Sequence, residues 1–196
     1  MKKLLLATHN QGKLKEIKKK LEGTNIKVVS LNDLKILDKI EETGKTYLEN
    51  AELKARFYGD TTGLPTLGED SGLEIDALGG EPGVYTARYS EGSDKDKCRF
   101  ILKKIKNEKN RKCRYRAVMF FYDPKKTTTF NSEGILEGEI AKEPKGTGGF
   151  GHDPIFYLPD RKKTVAEIGL EEKNKISHRH NALEKILPKI IDYLNK

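Results

Sequence analysis

The sequence contains little cysteine and no long apolar run. Cys98 and Cys113 are its two cysteines among 196 residues, and their spacing matches neither a disulfide framework nor a zinc motif. A chain of this length can bury a core without cross-links, so we expect a reduced, intracellular protein. The first apolar run covers only Leu4 to Ala7. We therefore expect neither a signal peptide nor a membrane span, and we predict a cytoplasmic location.

Acidic residues are outnumbered: 38 Lys and Arg face 30 Asp and Glu, which gives a formal net charge of +8. Eleven of the basic residues lie within residues 95–116, where only Asp96 and Glu108 are acidic. A basic surplus attracts polyanions, but it does not distinguish nucleic acid from nucleotide or solvent. We expect this run to be a solvated helix face. A non-enzymatic nucleic-acid-binding protein is the alternative of another class.

No linker, internal repeat or low-complexity segment divides the sequence, which predicts one continuous α/β domain over residues 1–196. The opening predicts a strand over 4–7, a helix and a second strand over 26–29. A capping box at Thr46 and Glu49 predicts the start of another helix. Further along, the pattern predicts a helix over 93–106, antiparallel strands over 115–122 and 128–140, and a last helix from about Asn181 that Pro188 kinks or breaks.

The polar turn after the first strand carries Thr8, Asn10 and Lys13. Open α/β sheets place ligands at such turns, and helix-start N–H groups beside an ammonium suit a phosphate. The alternative is that Thr8 or Asn10 caps the helix while Lys13 is solvated.

Two adjacent carboxylates, Glu69 and Asp70, stand before Ser71 in a glycine-rich stretch, residues 63–85, which reads as strand, turn, strand, turn. In a strand the two carboxylates would point to opposite faces, whereas at a turn they can converge on a hard cation. The alternative is an ordinary acidic turn. Glu42 belongs to another acidic pair, for which the alternative is acidity in the first turn of a helix.

A literal GxGxxG pattern occurs at Gly146, Gly148 and Gly151, but the following residues carry two prolines and no helical period. A dinucleotide-binding fingerprint requires a helix there, so we reject that interpretation. The loop can instead approach a flat ligand, with Phe150 available for stacking and Asp153 available to accept hydrogen bonds from a base edge. The alternative is a tight hairpin with Phe150 in the core.

A basic cluster of Lys173, His178 and Arg179 precedes the last predicted helix, and Ser177 is a candidate cap for that helix. The positive end of a helix suits phosphate, although a solvated helix start is the alternative. A triphosphate carries about four negative charges, so nearby carboxylates would repel it without a bridging cation. Each close contact would cost about 4 kcal/mol at intermediate dielectric. Mg²⁺ is the cation we predict.

Five stretches cover the chain nearly end to end: LLATHNQGK, EETGKTYLENAELKA, EDSGLEIDALGGEPGVYTARY, GTGGFGHDPIF and EEKNKISHR. Through them the sequence resembles the inosine triphosphate pyrophosphatases, the Ham1-like enzymes for non-canonical purine nucleoside triphosphates. The resemblance implies an elongated mixed β-sheet with flanking helices that form two lobes around a central nucleotide-binding cleft, usually in a homodimer. It implies Mg²⁺-dependent hydrolysis of ITP, dITP or XTP to nucleoside monophosphate and pyrophosphate, with no membrane and no specific nucleic-acid partner.

The resemblance also implies roles for individual residues. Glu42, Asp70 and Glu69 would serve the metal, and Asp70 would also be the general base. The implied phosphate contacts are Thr8, Asn10, Lys13, Ser71, Lys173 and Arg179. The implied base contacts are Phe150, Gly151, His152, Asp153 and His178. Two positions depart from the common pattern: His152 replaces Tyr or Trp, and Glu69 replaces Asp. A related pyrophosphatase that removes other modified nucleotides remains the alternative among enzymes.

Overall fold

A computed structural model describes residues 2–196 as a mixed α/β structure built on one seven-stranded sheet. The strands are β1 (Lys2–Leu6), β2 (Ile26–Ser30), β3 (Thr66–Ile75), β4 (Lys112–Asp123), β5 (Thr128–Ile140), β6 (Phe156–Leu158) and β7 (Lys163–Thr164). The helices are α1 (Gln11–Leu21), α2 (Tyr47–Thr62), α3 (Asp94–Lys104), α4 (Val165–Ile176) and α5 (His178–Asn195). Within residues 2–196, no helix is both long enough and apolar enough to cross a membrane.

The strand order is β2-β1-β3-β4-β5-β6-β7. Strand β1 runs parallel to β2 and β3, whereas β6 is antiparallel to both β5 and β7. The prediction of a mixed sheet with flanking helices is therefore confirmed. The four residues between β4 and β5, which are neighbours in the sheet, are long enough only for an antiparallel connection.

The chain separates into two compact units, each assembled from distant segments. Unit 1 comprises residues 1–70, 117–134 and 179–196, and unit 2 comprises residues 71–116 and 135–178. The domain prediction over 1–196 and the two-lobed cleft implied by the resemblance stay predictions.

The core of unit 1 forms where amphipathic helices α1 and α5 bury their apolar stripes. Leu14, Ile17 and Leu21 recur at helical spacing and pack in one cluster with strand residues such as Leu67. Tyr58 lies on α2 in a second cluster with apolar residues of β1 and β2. The turns that follow β1 and precede α2 are therefore attached to packed elements of unit 1.

The core of unit 2 is richer in aromatic groups. Tyr115 and Phe156 stack with ring centroids 4.2 Å apart, inside a cluster that also contains Ile101 and Ile105. Cys98 and Cys113 are both free thiols buried in this cluster. Burial raises the pKa of Cys98 to about 11, so this thiol stays protonated and packs as a small apolar group.

Two sequence predictions about these elements were wrong. The stretch 63–85 does not contain two strands with a turn between them, because β3 runs without interruption through Glu69, Asp70 and Ser71. The last helix begins at His178 rather than near Asn181, and Pro188 lies inside it, so the break is excluded while the kink stays a prediction. Nearly continuous burial along β3 explains the first correction, since both of its faces are covered.

Candidate active site

The turn after β1 combines a helix cap with a potential phosphate site. Asn10 is the N-cap of α1, and its Oδ1 accepts a hydrogen bond from the Lys13 backbone N–H at 3.1 Å. The Asn10 N–H in turn donates to Thr8 Oγ1 at 3.1 Å. The capping alternative is therefore realised for Asn10. The Lys13 side chain, however, is not simply solvated, because its ammonium lies 2.7 Å from Glu69 Oε2.

Glu69 lies at the centre of a buried charge network in unit 1. Besides Lys13, Glu69 contacts Arg179, whose Nε donates to Glu69 Oε1 at 3.1 Å. Arg179 Nη1 also donates to Glu16 Oε2 at 2.6 Å, and the side chains of Glu16 and Arg179 are almost fully buried. Both oxygens of Glu69 are thus engaged by cations.

Asp70, on β3, belongs to a separate network with side chains of helix α2. Lys54 Nζ donates to Asp70 Oδ1 at 3.1 Å and to Glu42 Oε1 at 2.6 Å. Asn50 Nδ2 donates to the other oxygen, Asp70 Oδ2, at 3.3 Å. Asn50 and Lys54 are four residues apart, so they share one face of α2.

Helix α2 also holds the loop that carries Glu42. The Gly44 N–H donates to Asn50 Oδ1 at 2.8 Å, and an added Cβ at Gly44 would lie 2.6 Å from that oxygen. Further back, the Tyr58 hydroxyl donates to the Asp38 carbonyl at 2.9 Å. Glu42 therefore lies in an anchored loop, and the alternative that it is in the first turn of α2 is wrong, because α2 begins at Tyr47.

The alternation of β3 separates the two adjacent carboxylates. Gly68 and Asp70 face α2, and Gly68 approaches so closely that a Cβ would lie 2.1 Å from the Ala51 carbonyl oxygen. Glu69 points the other way, toward α1 and the start of α5. The expectation that a turn brings Glu69 and Asp70 together is therefore wrong, because they occupy a continuous strand.

The two carboxyl groups also differ in acidity. Burial alone would raise the pKa of Glu69, but Lys13, Arg179 and Lys54 together hold it far below the ordinary value. Burial raises the pKa of Asp70, and the opposing effect of Lys54 and Lys13 does not cancel this rise. Neighbouring carboxyl groups with opposite pKa shifts are characteristic of sites that divide roles between two acids.

Unit 2 holds a different group of side chains around Asp153. Lys173 Nζ donates to Asp153 Oδ2 at 2.7 Å, and both side chains are 3% exposed. The Phe150 N–H donates to the same oxygen at 2.9 Å, and the Lys173 ammonium lies 4.1 Å from the Phe150 ring centroid. The Tyr115 hydroxyl donates to Asp153 Oδ1 at 3.3 Å. Lys173, predicted as a phosphate contact, is thus paired with the predicted base-reading carboxylate.

The rest of the glycine-rich loop is held by helix α3. The Gly151 N–H donates to Asp94 Oδ2 at 2.6 Å, and Cys98 Sγ lies 3.5 Å from the Gly151 carbonyl oxygen. His152 is buried, and burial lowers its pKa to about 4 despite the opposing effect of Asp94. His178 is also buried and stacks on Tyr115 with ring centroids 4.9 Å apart. The rejection of a dinucleotide fold is confirmed, because a short 3-10 turn and strand β6 follow the loop instead of a helix.

The predicted residues therefore fall into two groups. The unit 1 group contains Thr8, Asn10, Lys13, Glu42, Glu69, Asp70 and Arg179, and the unit 2 group contains Phe150, Gly151, His152, Asp153, Lys173 and His178. Ser71 is half-buried in β3 and begins unit 2. Sequence reasoning missed Glu16, Asn50, Lys54 and Tyr115. The i,i+4 spacing of Asn50 and Lys54, which follow the acidic pair that contains Glu42, could have indicated that both side chains face the site. Nothing local in the sequence distinguished Tyr115 from other core aromatics.

The basic run also has a different role from the one expected. Arg111 donates to the carbonyls of Ile140 and Ala141, while Arg114 and Arg116 both pair with Glu74. The prediction of a wholly solvated face is wrong for these arginines, because they neutralise acidic groups and satisfy carbonyls within unit 2.

Glu42 and Asp70 are the residues best suited to hold a divalent cation. Within residues 2–196 no three His, Cys, Asp or Glu side chains gather as a ready metal site. The oxygens of these two carboxylates nevertheless converge on one positive charge, the Lys54 ammonium. Hard oxygen donors suit Mg²⁺, which is commonly held by one or two carboxylates plus substrate phosphates. The donor set therefore fits a metal that is completed by a phosphate ligand.

Comparison with known proteins identifies the family. The dITP/XTP pyrophosphatase of Symbiobacterium thermophilum is 46% identical over 192 residues, covering 96% of this chain and 95% of the relative. The dITP/XTP pyrophosphatase of Shigella flexneri is 44% identical, covering 95% and 97%. A solved structure of a Ham1 protein from Coxiella burnetii matches with a TM-score of 0.90 and 38% identity, covering 98% of this chain and 100% of that one. The sequence profile of the Ham1 family matches residues 4–189, and the chain belongs to this family.

Proposed function

We propose that the protein hydrolyses non-canonical purine nucleoside triphosphates such as ITP, dITP and XTP to the nucleoside monophosphate and pyrophosphate. The observation that carries this proposal is the convergence of Glu42 and Asp70 on one cation position, in the same unit as Lys13 and Arg179. Two relatives that span nearly the whole chain are named dITP/XTP pyrophosphatase, which supports the same activity. The physiological consequence would be removal of these nucleotides from the precursor pool.

Glu42 and Asp70 would hold Mg²⁺, and Lys54 would keep their carboxylates together before the metal arrives. When bound, Mg²⁺ would neutralise negative charge on the phosphate oxygens and on the departing pyrophosphate. We propose no metal ligation by Glu69, because its side chain points away from Glu42 and Asp70, toward Lys13 and Arg179. This assignment narrows the three metal carboxylates implied by the family resemblance to two.

Asp70 is the proposed general base. Its carboxylate would accept a proton from the water that attacks the α-phosphorus, while the bond from that phosphorus to the leaving pyrophosphate oxygen breaks. Asn50 and Lys54 each contact one oxygen of Asp70, so these two residues of α2 orient the carboxylate. Glu69 would instead position Lys13 and Arg179 by pairing with both.

Thr8, Asn10 and Lys13 are the proposed triphosphate contacts at the start of α1, together with Arg179 and the half-buried Ser71. The N-terminal N–H groups of α1 and the Lys13 ammonium supply positive charge there. Lys13 would exchange its contact with Glu69 for a phosphate oxygen, because its side chain, 16% exposed, is more accessible than those of Glu69 and Arg179. In this proposal Lys173 belongs to the unit 2 group, which recognises the purine base, because its ammonium is paired with Asp153.

The unit 2 group is proposed to select the base. Phe150 would stack on the purine, while Gly151, His152, Asp153 and His178 would shape its polar edge. Hypoxanthine and xanthine carry a carbonyl at C6 where adenine carries an amine, so backbone donors and His178 would favour the carbonyl. A site without a partner for the 2-amino group of guanine would disfavour GTP.

A homodimer and a cytoplasmic location complete the proposal, and both rest on the family resemblance. Sedimentation at several protein concentrations tests the dimer, which requires a species of twice the chain mass of 22.2 kDa. Fractionation of the source cells tests the location.

One assay tests the function. Pyrophosphate release is measured from ITP, XTP, dITP, ATP and GTP, with Mg²⁺ or with EDTA. We expect rapid release from the first three substrates, slow release from ATP and GTP, and no release in EDTA. Equal rates on all five substrates would contradict the proposed selectivity, and no release from any would contradict the enzyme assignment. Release from other modified nucleotides alone would favour the related pyrophosphatase.

A further inference from the structure

We propose that Tyr115 is a positioning residue that sets the base preference of the site by holding the Asp153 carboxylate and the His178 ring in place. This inference rests on the proposed function, in which Asp153 and His178 recognise the purine edge. Tyr115 contacts both of them from one position on β4, through its hydroxyl and its ring face.

Residue alternation on β4 makes this placement obligatory. Cys113, Tyr115 and Ala117 are buried, whereas the intervening Arg114 and Arg116 are half-exposed and pair with acidic groups. A strand with charged residues on one face must direct the other face into the core. The Tyr115 side chain therefore enters the interior of unit 2, although its hydroxyl is polar.

The Asp153 carboxylate divides its two oxygens between different tasks. Oδ2 accepts hydrogen bonds from the Lys173 ammonium and the Phe150 N–H, which ties it to the loop. Oδ1 accepts from the Tyr115 hydroxyl. A carboxylate oxygen accepts about two hydrogen bonds, so Oδ1 retains capacity for an N–H on a base. Tyr115 thus contacts the oxygen that has fewer hydrogen bonds from the protein.

The Tyr115 ring provides the second anchor. Phe156 stacks on it nearly parallel, at 8°, and His178 stacks at 28° with ring centroids 4.9 Å apart. Three stacked rings resist rotation because each packs against a flat neighbour. The hydroxyl and His178 therefore keep a fixed relation within unit 2.

The hydroxyl is a dependable donor. Burial raises the pKa of Tyr115 well above its usual value, with Asp153 adding to the rise, so the phenol remains protonated at neutral pH. Its 3.3 Å contact with Asp153 is long for an O–H donor. Hydrogen bonds in sites without substrate often shorten when the substrate binds.

Base chemistry connects this geometry to preference. Hypoxanthine and xanthine present an N–H at N1, which a carboxylate oxygen accepts, whereas adenine presents a lone pair at N1, which a carboxylate repels. A carboxylate that is free to rotate turns its charge away from adenine and loses discrimination. Tyr115 prevents that rotation, so its hydroxyl matters more for ITP than for ATP.

The test is Tyr115→Phe, which removes the hydroxyl and keeps the stacked ring. We expect KM for ITP to rise about tenfold with little change in kcat, and the ratio of kcat/KM for ITP over ATP to fall by a similar factor. Tyr122→Phe is the matched control, because the Tyr122 hydroxyl donates to Asp60 at 2.9 Å in unit 1. The control should retain both values.

A second arm asks whether Tyr115 acts through Asp153. In the Asp153→Asn background, Tyr115→Phe should change KM for ITP by less than about twofold, since the two substitutions affect one contact. A folded Tyr115→Phe variant with parental KM and parental ITP/ATP ratio overturns the inference, and so does an undiminished effect in the Asp153→Asn background. An inactive parent enzyme contradicts the proposed function instead.

A measurement on the unchanged protein covers the case in which Tyr115→Phe fails to fold. The buried hydroxyl proton of Tyr115 should exchange slowly enough with solvent to give an NMR resonance. We expect inosine monophosphate, a product of the proposed reaction, to shift this resonance and adenosine monophosphate to leave it in place. No shift at saturating inosine monophosphate overturns the inference.

Discussion

The two units carry opposite kinds of polar group. Unit 1 has two neighbouring networks of alternating charges in which each carboxylate contacts one or two cations. One contains Lys13, Glu16, Glu69 and Arg179, and the other contains Glu42, Lys54 and Asp70. Unit 2 holds a buried ion pair, Lys173 and Asp153, next to aromatic rings. One chain thus combines a charge network in one unit with a mostly aromatic environment around an ion pair in the other.

The difference follows from what each group is proposed to bind. A triphosphate and its metal bring several charges, so residues that receive them must give up some of their own ion pairs as the substrate enters. A purine base is flat and neutral, and discrimination between bases depends on a few fixed donors and acceptors. In the proposed function, catalysis therefore depends on unit 1 groups that exchange partners, and selectivity depends on unit 2 groups that keep theirs.

The largest expected effect comes from Asp70→Asn. Replacing this carboxylate removes the proposed base and one metal ligand, so kcat for ITP should fall by about 10²–10⁴ while the protein remains folded. The amide keeps the shape of the side chain and its contact with Asn50. Asp60→Asn is the control, because Asp60 is an exposed carboxylate in the same unit that accepts from Tyr122. A variant with near-parental turnover of ITP would show that Asp70 has neither role.

The second prediction contrasts the two buried lysines. Lys173→Met leaves the buried Asp153 carboxylate without its ion pair, which should lower the free energy of unfolding by about 3–5 kcal/mol. Lys54→Met leaves Glu42 and Asp70 facing each other, and a divalent cation can replace the missing charge. We expect Mg²⁺ to raise the thermal midpoint of Lys54→Met more than that of the parent or Lys173→Met.

An equal Mg²⁺-induced shift of the thermal midpoint in the two lysine variants would contradict the proposed metal site, because Glu42 and Asp70 would then not be the metal ligands. Thermal unfolding in Mg²⁺ or in EDTA measures this shift without any substrate. Kinetics separate the two further, since Lys54→Met should lower kcat and Lys173→Met should raise KM.

The third prediction concerns two glycines of the glycine-rich loop, Gly149 and Gly151. Gly149 has φ +76°, and an added Cβ would lie 2.0 Å from Asp153 Oδ2. Gly149→Ala should therefore cost about 3 kcal/mol of unfolding free energy, from left-handed backbone and overpacking together. Gly151→Ala is the matched variant, because its φ is +64° but a Cβ there meets nothing within 4 Å. It should cost only about 1 kcal/mol. Equal losses in denaturant unfolding would show that the Asp153 contact is not the constraint.

Sequence patterns predicted the parts of this molecule that depend on local periodicity. The capping box at Thr46 and Glu49 and the stripe of α1 both appear as expected, because neighbours along the chain determine them. The glycine-rich stretch around Glu69 misled the prediction, because its glycines indicated turns. In the folded protein Gly68 is needed for close approach of α2 to a straight strand.

The contacts that organise the site were beyond sequence reasoning for another reason. Glu69 and Arg179 are 110 positions apart, and Tyr115 and Asp153 are 38 apart. Their pairing depends on strand order, which no local pattern specifies. The family resemblance supplied the residue types of the site, but not the separation of Glu69 from Asp70 by strand alternation.

The smallest expected effect is a pH dependence in unit 2. Burial lowers the pKa of His152 from 6.5 to about 4, so the unfolded chain binds a proton on this ring more readily than the folded protein does. Stability therefore falls as pH decreases below 6.5 and levels off below 4, and His152 alone should account for about 2 kcal/mol between pH 7 and 5.

Denaturant unfolding of the parent and of His152→Gln at pH 7 and pH 5 isolates this contribution, since other groups titrate equally in both proteins. The variant should lose less stability than the parent on acidification, by about the same 2 kcal/mol. His9→Gln is the control and should follow the parent, because His9 belongs to the turn after β1 and is half-exposed. An identical pH response in His152→Gln and the parent would mean that the ring is accessible to protons in the folded state. That result would place His152 with the exchangeable groups of unit 1 rather than with the fixed recognition surface of unit 2.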